Sequence, residues 1–319
     1  MVEKEAGAKS EDGVEAEERG LLFGTTSYVL PADLLPNAEL LCGIVDDVEL
    51  VLFEGEESNL PSPEVIERLG ELSRSTGTGY TVHLPLDVGL GETEAARRRR
   101  AVAVCRHVIE LTRPLEPRCY VVHPELPLRY HPALGEEPVS LPELPEELRG
   151  TWPQVLADSL AALRNEANEI PLAVENLQYP YGWIWPVVEE LDLGVVLDVG
   201  HLVKAGGRVD DHLHRFGKRL KVVHLHGVVE GKDHREAGAW GKEGLRSFLS
   251  AFRGTTGRPN GRPSEEPPLV VSLEVFGGPP TIASLRAVAD ALRPEQEAEA
   301  RRYARAADLI EVALSSARP

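Results

Sequence analysis

The chain has 319 residues, of which 42% are hydrophobic and 27% are charged, as in an ordinary soluble globular protein. Its 52 acidic residues outnumber its 34 basic residues, and the net charge of −18 makes a long nucleic acid an unlikely main partner, because such binding depends on neutralising phosphates. No apolar run approaches the ~18 residues of a membrane span, so we expect no membrane partner.

The chain begins with an acidic segment and continues as alternating runs. Residues 1–20 are almost free of large apolar side chains, so we expect a disordered tail there. From Leu21 onward, short β-branched and apolar runs alternate with segments of helical period. The eight runs cover 21–29, 48–54, 79–87, 118–126, 170–178, 193–202, 220–229 and 269–277. Such near-continuous apolar runs are typical of parallel strands buried on both faces.

The segments between the runs favour helices. Apolar residues recur at helical spacing most clearly in 62–74, 93–112, 156–167 and 244–253. Eight strands with intervening helices predict an α/β fold, a single (β/α)₈ barrel over residues 21–293. A last segment, 294–319, repeats the helical spacing and predicts a C-terminal helix packed on the barrel.

Side chains that bind metals stand near the ends of six runs. They are His83, His123, Glu175, Asp198, His224 and Glu274. His201 follows Asp198 by three residues, and Asp233 and His234 lie in the loop after His224. One such histidine is more often an ordinary rim residue than a ligand. Strand ends of a barrel converge on one mouth, however, so nine residues delivered there predict a metal centre.

The ligand types restrict the metal and the chemistry. Imidazole and carboxylate without thiolate favour Zn, Mn, Fe or Co, with zinc preferred. The ligands exceed the needs of one tetrahedral ion, so we expect two or three divalent ions. Such a centre suits phosphoester hydrolysis, since an ion lowers the pKa of a bound water towards ~7 and others hold phosphate oxygens. We assign Glu274 and Glu175 as the catalytic carboxylates, with Glu274 orienting or deprotonating the attacking water.

The order of these motifs resembles a known family. HLP, HP, VEN, LDVGH, VHLH, DH and LEV, spread over residues 21–292, are similar to the xylose-isomerase-like TIM barrels, specifically the AP endonuclease type 2 branch. The resemblance implies one ion on His83 and His123 with Glu175 bridging, a second on Asp198, His224 and Glu274, and a third on His201, Asp233 and His234. The endonucleases place Asp two residues before the loop histidine, whereas Asp233 and His234 are adjacent.

Relatives within this superfamily leave alternative functions open. Sugar isomerases and epimerases hold one ion with a set that corresponds to Glu175, Asp198, His224 and Glu274. The additional His83, His123 and His234 favour a hydrolase over an isomerase. An AP endonuclease is disfavoured by the net charge and by the lack of an obvious basic loop. A binding module without catalysis is the non-enzyme alternative.

A narrower resemblance covers the first two runs. GTTSYVLPADLLPNAELL (24–41) and VDDVELVLFE (45–54) resemble the cobamide remodelling phosphodiesterases. The resemblance implies hydrolysis of the nucleotide-loop phosphodiester of a corrinoid, a small-molecule substrate. It also fits the phosphoester chemistry expected of the metal centre.

Aromatic residues after the fifth run are candidates for binding that substrate. The segment 178–186 contains Tyr179, Tyr181, Trp183 and Trp185, which could form a wall for a large flat ligand. Packing of these rings on the barrel is the alternative interpretation. His226, two residues after His224, is a further candidate for substrate contact.

The cysteines and the N-terminus bear on location. Cys42, Cys105 and Cys119 lack CxxC spacing, so neither a disulfide scaffold nor a zinc ribbon is expected. The N-terminal residues lack the basic and apolar regions of a signal peptide. Both observations favour the cytoplasm.

Overall fold

A computed structural model of the protein describes residues 21–127, 130, 143–255 and 268–316. The tail predicted over 1–20 lies outside these ranges. Among the described helices, none is both long enough and apolar enough to cross a membrane.

Eight parallel strands close into a barrel in the order β1-β10-β7-β6-β5-β4-β3-β2. The strands are β1 Leu21–Thr26, β2 Asp47–Val51, β3 Gly79–His83, β4 Tyr120–Val122, β5 Leu172–Glu175, β6 Gly194–Asp198, β7 Leu220–Leu225, β8 Gly227–Val229, β9 Lys232–Arg235 and β10 Leu269–Leu273. Each predicted run supplies one barrel strand, so the (β/α)₈ prediction is confirmed. The end of the run 220–229 forms a separate strand, β8, and pairs with β9, which was not predicted, in an antiparallel hairpin after β7.

Helices surround the barrel. They are α1 Leu34–Leu41, α2 Pro63–Thr76, α3 Ala95–Thr112, α4 Trp152–Ala167, α5 Trp185–Glu190, α6 Val199–Lys204, α7 Val209–Phe216, α8 Gly241–Thr255, α9 Gly278–Ala291 and α10 Glu297–Ser316. Local signals set their ends. Ser62 accepts a hydrogen bond from the Val65 amide where α2 begins, and Gly77 ends α2 in the left-handed region.

The predicted C-terminal helix is present as α10. It packs against α9, and its Tyr303 ring lies 4.4 Å from the ring of Phe23 in β1. Tyr303, Ala307 and Ile310 are buried on this face. The apolar residues at helical spacing in this segment therefore form the face of α10 that packs on the barrel.

The barrel interior changes character from one end to the other. A buried apolar cluster fills part of it, formed by Leu22, Cys119, Val121, Ala173, Val196, Val222 and Val270. Side chains alternate along a strand with a period of two, so two residues after Ala173, Val196 and Val222 come Glu175, Asp198 and His224. The apolar cluster thus supports a polar layer at the carboxyl ends of the strands.

Candidate metal centre

All nine predicted ligands lie at the carboxyl end of the barrel. Glu175 and Asp198 are the last residues of β5 and β6, and His83 is the last residue of β3. His123 and Glu274 directly follow β4 and β10, and His224 is in β7. His201 lies on α6, while Asp233 and His234 come from β9 of the hairpin.

Glu175 is at the centre of the site. Its Oε2 lies 3.3 Å from His83 Nε2, 3.2 Å from His123 Nε2 and 3.3 Å from His224 Nδ1. Its Oε1 faces His201 Nδ1 at 3.3 Å. A fully buried carboxylate surrounded by four imidazoles is in the position of a bridging ligand.

Three of these histidines are fixed through their other ring nitrogen. The acceptors are the Leu84 carbonyl oxygen for His83 Nδ1 (2.9 Å), Glu125 Oε1 for His123 Nδ1 (3.1 Å) and Glu49 Oε1 for His224 Nε2 (2.9 Å). Each acceptor is an oxygen atom, so the nitrogen bonded to it carries the proton. The nitrogen that faces Glu175 is thereby oriented as a ligand, an arrangement typical of metal-binding histidines.

Glu49 is a site residue that the sequence analysis missed. It is fully buried in the middle of β2, inside the run 48–54, and pairs with His224 of β7. Ligands are expected at strand ends, and Glu49 is not at one. The available signal was an acidic residue between apolar neighbours inside the run, away from the terminal Glu54.

Asp198 is held by several hydrogen bonds. Its Oδ1 accepts from the His201 amide at 2.6 Å, which caps the start of α6, and its Oδ2 accepts from His226 Nε2 at 2.9 Å. The Asn176 side chain binds both the amide and the carbonyl of Asp198 at 2.9 Å. The carboxylate is therefore fixed before any ligand binds.

The structure gives His226 a different environment from the predicted substrate contact. The ring is fully buried, its Nε2 donates to Asp198, and its Nδ1 accepts from the His234 amide at 2.9 Å. Both nitrogens thus have protein partners. Through these hydrogen bonds His226 orients the Asp198 carboxylate and holds the hairpin in place.

Buried atoms at the centre lack hydrogen-bond partners among the described residues. They include Glu175 Oε1, His201 Nδ1, His224 Nδ1 and Glu274 Oε2. Burying a polar atom without a partner costs about 1–3 kcal/mol. All four belong to candidate ligands, so the unsatisfied atoms fit a centre that is completed by metal.

The carboxylates and imidazoles shift one another's pKa. Burial lowers the pKa of His123 and His201, but neighbouring carboxylates outweigh burial and raise these values to about 10 and about 9. Glu175 shows the reverse: burial raises its pKa, yet the charges of His123 and His224 hold it well below its usual range. The layer therefore requires positive charge, supplied by protons or by metal ions.

Among the residues that the structure describes, four groups of candidate ligands each have their ligand atoms within 4.8 Å of one another. They are His83, His123 and Glu175; Glu175, Asp198, His224 and Glu274; His201, Asp233 and His234; and His226, His234 and Glu274. The first two share Glu175. Adjacent strand residues normally point to opposite faces, but the positive φ of 51° at His234 departs from strand geometry and lets Asp233 and His234 belong to one group.

The structure places two of the predicted aromatic residues away from the mouth. The Tyr181 hydroxyl donates to the Val174 carbonyl at 3.0 Å, and its ring packs against Phe216 of α7. The Trp185 ring lies 4.6 Å from the same Phe216. These rings fill the layer between the barrel and α7, as the packing interpretation expected.

The other two aromatic residues pack against each other. The rings of Tyr179 and Trp183 stack at 5.3 Å, and the buried Tyr179 hydroxyl donates to the Pro124 carbonyl at 2.6 Å. The Trp183 ring is partly exposed and lines a hollow that includes Arg149. Of the four predicted aromatics, the pair Tyr179 and Trp183 remains a candidate for ligand contact.

A second aromatic group adjoins the candidate metal centre directly. Tyr28, Phe53 and Phe276 follow β1, β2 and β10, and their rings lie 4.7 to 6.3 Å apart. Phe276 is 36% exposed and lies 5.1 Å from the His234 ring. Tyr28 and Phe53 also line a cleft of about 660 Å³. The sequence analysis did not single out these residues.

Comparison with known proteins agrees with this architecture. A family model described as xylose isomerase-like TIM barrel matches residues 45–256, more than half of the chain. No curated protein matches the chain at a significant level.

Solved structures share the fold at low identity. A D-tagatose 3-epimerase-like protein superposes with a TM-score of 0.63 and 18% identity, covering 93% of this chain and 100% of that chain. Endonuclease IV from Thermus thermophilus superposes with a TM-score of 0.58 and 18% sequence identity, covering 90% of this chain and 98% of that chain. The IOLI protein with a bound zinc atom superposes with a TM-score of 0.58 and 15% sequence identity, covering 91% of this chain and 98% of that chain. On the extent of the family match, the chain belongs to the xylose isomerase-like TIM barrel family.

Proposed function

We propose that this protein is a metal-dependent phosphodiesterase that hydrolyses the nucleotide-loop phosphodiester of a cobamide. The observation that carries the proposal is the pair of ligand groups that share Glu175. The group of Glu175, Asp198, His224 and Glu274 is complete for one ion by itself. His83 and His123, each oriented through its second nitrogen, add a position for a second ion.

Two ions sharing a carboxylate suit a phosphodiester. When bound, they would lower the pKa of a water molecule and neutralise charge on the phosphate and the leaving oxygen. Glu274 is the candidate base, since its side chain is 8% exposed and its Oε2 lacks a hydrogen-bond partner, whereas Glu175 is fully buried. Glu274 would accept the proton of the attacking water on its carboxylate, while the fully buried Glu175 would be shared by the two groups of ligands.

Support for a corrinoid substrate comes from the segments 24–41 and 45–54. They form β1, α1 and β2 and contribute Tyr28 and Phe53 to the aromatic group beside the centre. Exposed aromatic surface suits a substrate with large apolar or planar parts. The net charge of −18 disfavours a long nucleic acid in the same cleft.

A sugar epimerase or isomerase is the second candidate. The four-residue group around His224 could hold a single ion against a sugar hydroxyl and carbonyl, and it contains two carboxylates, Glu175 and Glu274. This function leaves His83 and His123 without a role in the centre, which is why we place it second.

One assay separates the candidates. Metal-loaded protein is incubated separately with a cobamide, an abasic-site duplex and a panel of ketoses, and the products are identified by mass. We expect a cobinamide-type corrinoid from the cobamide and loss of activity on chelation. Ketose interconversion with an intact cobamide would instead establish the epimerase or isomerase, and cleavage of the duplex alone would establish the endonuclease.

Variants test the assigned carboxylate. Glu274→Gln should lower kcat by about 10²–10⁴-fold, the usual contribution of a general base, with little change in corrinoid binding. Glu166→Gln is the matched control, because Glu166 is bound to Arg106 and Arg113 on the outer helices. Equal effects of the two substitutions would contradict the role of Glu274.

A further inference from the structure

The third candidate group contains a lysine. Lys204, the last residue of α6, follows His201 by three residues, and its Nζ lies 2.8 Å from Asp233 Oδ2. The two side chains are 12% and 13% exposed. This is a charge-assisted hydrogen bond in a partly desolvated place, where such bonds are strong.

The lysine changes the charge of that group. Asp233 is the one carboxylate among His201, Asp233 and His234, and the Lys204 ammonium neutralises it. The two groups that share Glu175 contain three carboxylates, Glu175, Asp198 and Glu274. A divalent ion at Asp233 would thus meet a neighbouring cation and no uncompensated negative charge.

The two imidazoles of the third group also contact the second group. His201 Nδ1 is 3.3 Å from Glu175 Oε1, closer than its Nε2 is to Asp233 Oδ2 at 3.7 Å. His234 Nδ1 donates to the Glu274 carbonyl at 3.2 Å. The His201 ring is therefore shared with Glu175, and one nitrogen of the His234 ring is already bound to a backbone carbonyl.

We propose that the centre binds two divalent ions and that the Lys204 ammonium takes the place of a third. The inference rests on the metal-dependent part of the proposed function but not on its substrate. Metal content can therefore contradict it while phosphodiesterase activity stands, and an inactive protein with two ions would leave it intact.

Metal content of the full chain tests the proposal. The protein is stripped with a chelator, reconstituted with excess zinc, desalted and measured by elemental mass spectrometry. We expect two equivalents in the wild type and in Lys204→Arg, which keeps the charge. Lys204→Met should gain a third equivalent, because Asp233 is then released for an ion.

Matched variants guard against surface binding and misfolding. The double variant Lys204→Met, Asp233→Asn should return to two equivalents, since it lacks the carboxylate of the third group. Lys204→Gln provides a second neutral substitution if the methionine variant does not fold. Three equivalents in the wild type would overturn the proposal, and so would two equivalents in a folded neutral variant at position 204.

Discussion

His224 lies between Glu49 on one side and Glu175 and Glu274 on the other, and its orientation depends on Glu49. The Nε2–Glu49 Oε1 bond of 2.9 Å turns Nδ1 towards the two candidate ligands, at 3.3 and 3.2 Å. The side chains in all three contacts are almost completely buried, so the ring nitrogens of His224 have protein partners and no contact with solvent. Glu49 is thus a positioning residue that acts through His224.

Replacing Glu49 should weaken metal binding without removing a ligand. Glu49→Gln exchanges the charged acceptor for a neutral amide, so the imidazole becomes less basic and less well oriented. Loss of such a partner costs about 10–100-fold in metal affinity. The measurement is a zinc titration against a competing chelator.

Asp47 offers a matched control for this prediction. It lies two residues earlier on β2, is equally buried, and is paired with Arg118 at 3.2 Å. Asp47→Asn should leave zinc affinity unchanged, although it removes a buried carboxylate from the same strand. Equal weakening in both variants would show that Glu49 acts through general stability alone.

At the residue scale, the sequence predicted which candidate ligands meet at the mouth of the barrel but not the residues that orient them. His83, Glu175 and Asp198 stand at strand ends, and the barrel geometry brings those ends together. Glu49 stands mid-strand, where its role depends on the register that places β2 and β7 across the barrel interior. That register is set when the whole sheet closes into a barrel, and the local sequence pattern of one strand does not determine it.

At the scale of elements, the hairpin of β8 and β9 delivers Asp233 and His234 to the mouth. Val229 pairs with Lys232, so the turn consists of Glu230 and Gly231, both with positive φ (52° and 77°). Two-residue turns of this form match the twist of a hairpin. β8 has only three residues and continues the apolar run of β7, and β9 is the polar segment KDHR, so hydrophobic periodicity did not reveal the hairpin.

Gly231→Val should loosen the hairpin and leave the barrel intact. A β-branched residue is strained at φ 77°, at a cost of about 1–3 kcal/mol, while no atom within 4 Å would clash with its Cβ. We expect faster amide hydrogen exchange across 227–235. Gly150→Val is the control, because that position also has open space but no left-handed backbone. Unchanged exchange in the hairpin would contradict the role assigned to the turn.

The aromatic surface next to the centre is built from three separate elements. Tyr28, Phe53 and Phe276 are far apart in sequence and meet only because β1 lies between β2 and β10. Trp185, in the aromatic segment that the sequence made conspicuous, packs against α7 instead. Local composition thus predicted an aromatic surface near the mouth but not which residues form it.

Phe276→Ala should raise KM for the cobamide by about tenfold with a smaller change in kcat. The substitution removes an exposed ring 5.1 Å from His234, and lost stacking on an aromatic ring is worth about 0.5–1.5 kcal/mol beyond its area. Trp185→Ala is the control and should leave KM unchanged. A larger KM effect for Trp185 than for Phe276 would place the substrate at 178–186.

At the scale of the whole molecule, the barrel buries a dense group of ionisable side chains above an apolar cluster. Glu49, Glu175, Asp198 and His224 are each fully buried. Their charges offset one another, and neighbouring carboxylates raise the pKa of His123 and His201, so we expect protons to supply part of the positive charge in the metal-free protein. Metal affinity and folding stability are therefore linked through the same groups.

The sign of this linkage predicts an alkaline loss of stability for the metal-free protein. The folded-state pKa values of about 10 for His123 and about 9 for His201 exceed the ordinary value of 6.5. Their stabilising contribution is complete below pH 6.5 and is lost as pH rises through 9 to 10. The free energy of unfolding should fall with a slope of up to about 1.4 kcal/mol per pH unit for each proton.

Urea unfolding at pH 7 and pH 9, with chelator or with zinc, measures this slope. Zinc requires neutral imidazoles, so the zinc-loaded protein should be more stable and should lose less stability between the two pH values.

Glu175→Gln should reduce the pH slope of the unfolding free energy of the metal-free protein, because Glu175 is the main charge that raises the pKa of His123. His107→Ala, at an exposed position on α3, should leave it unchanged. A metal-free protein equally stable at both pH values would show that these histidines are neutral in the folded state.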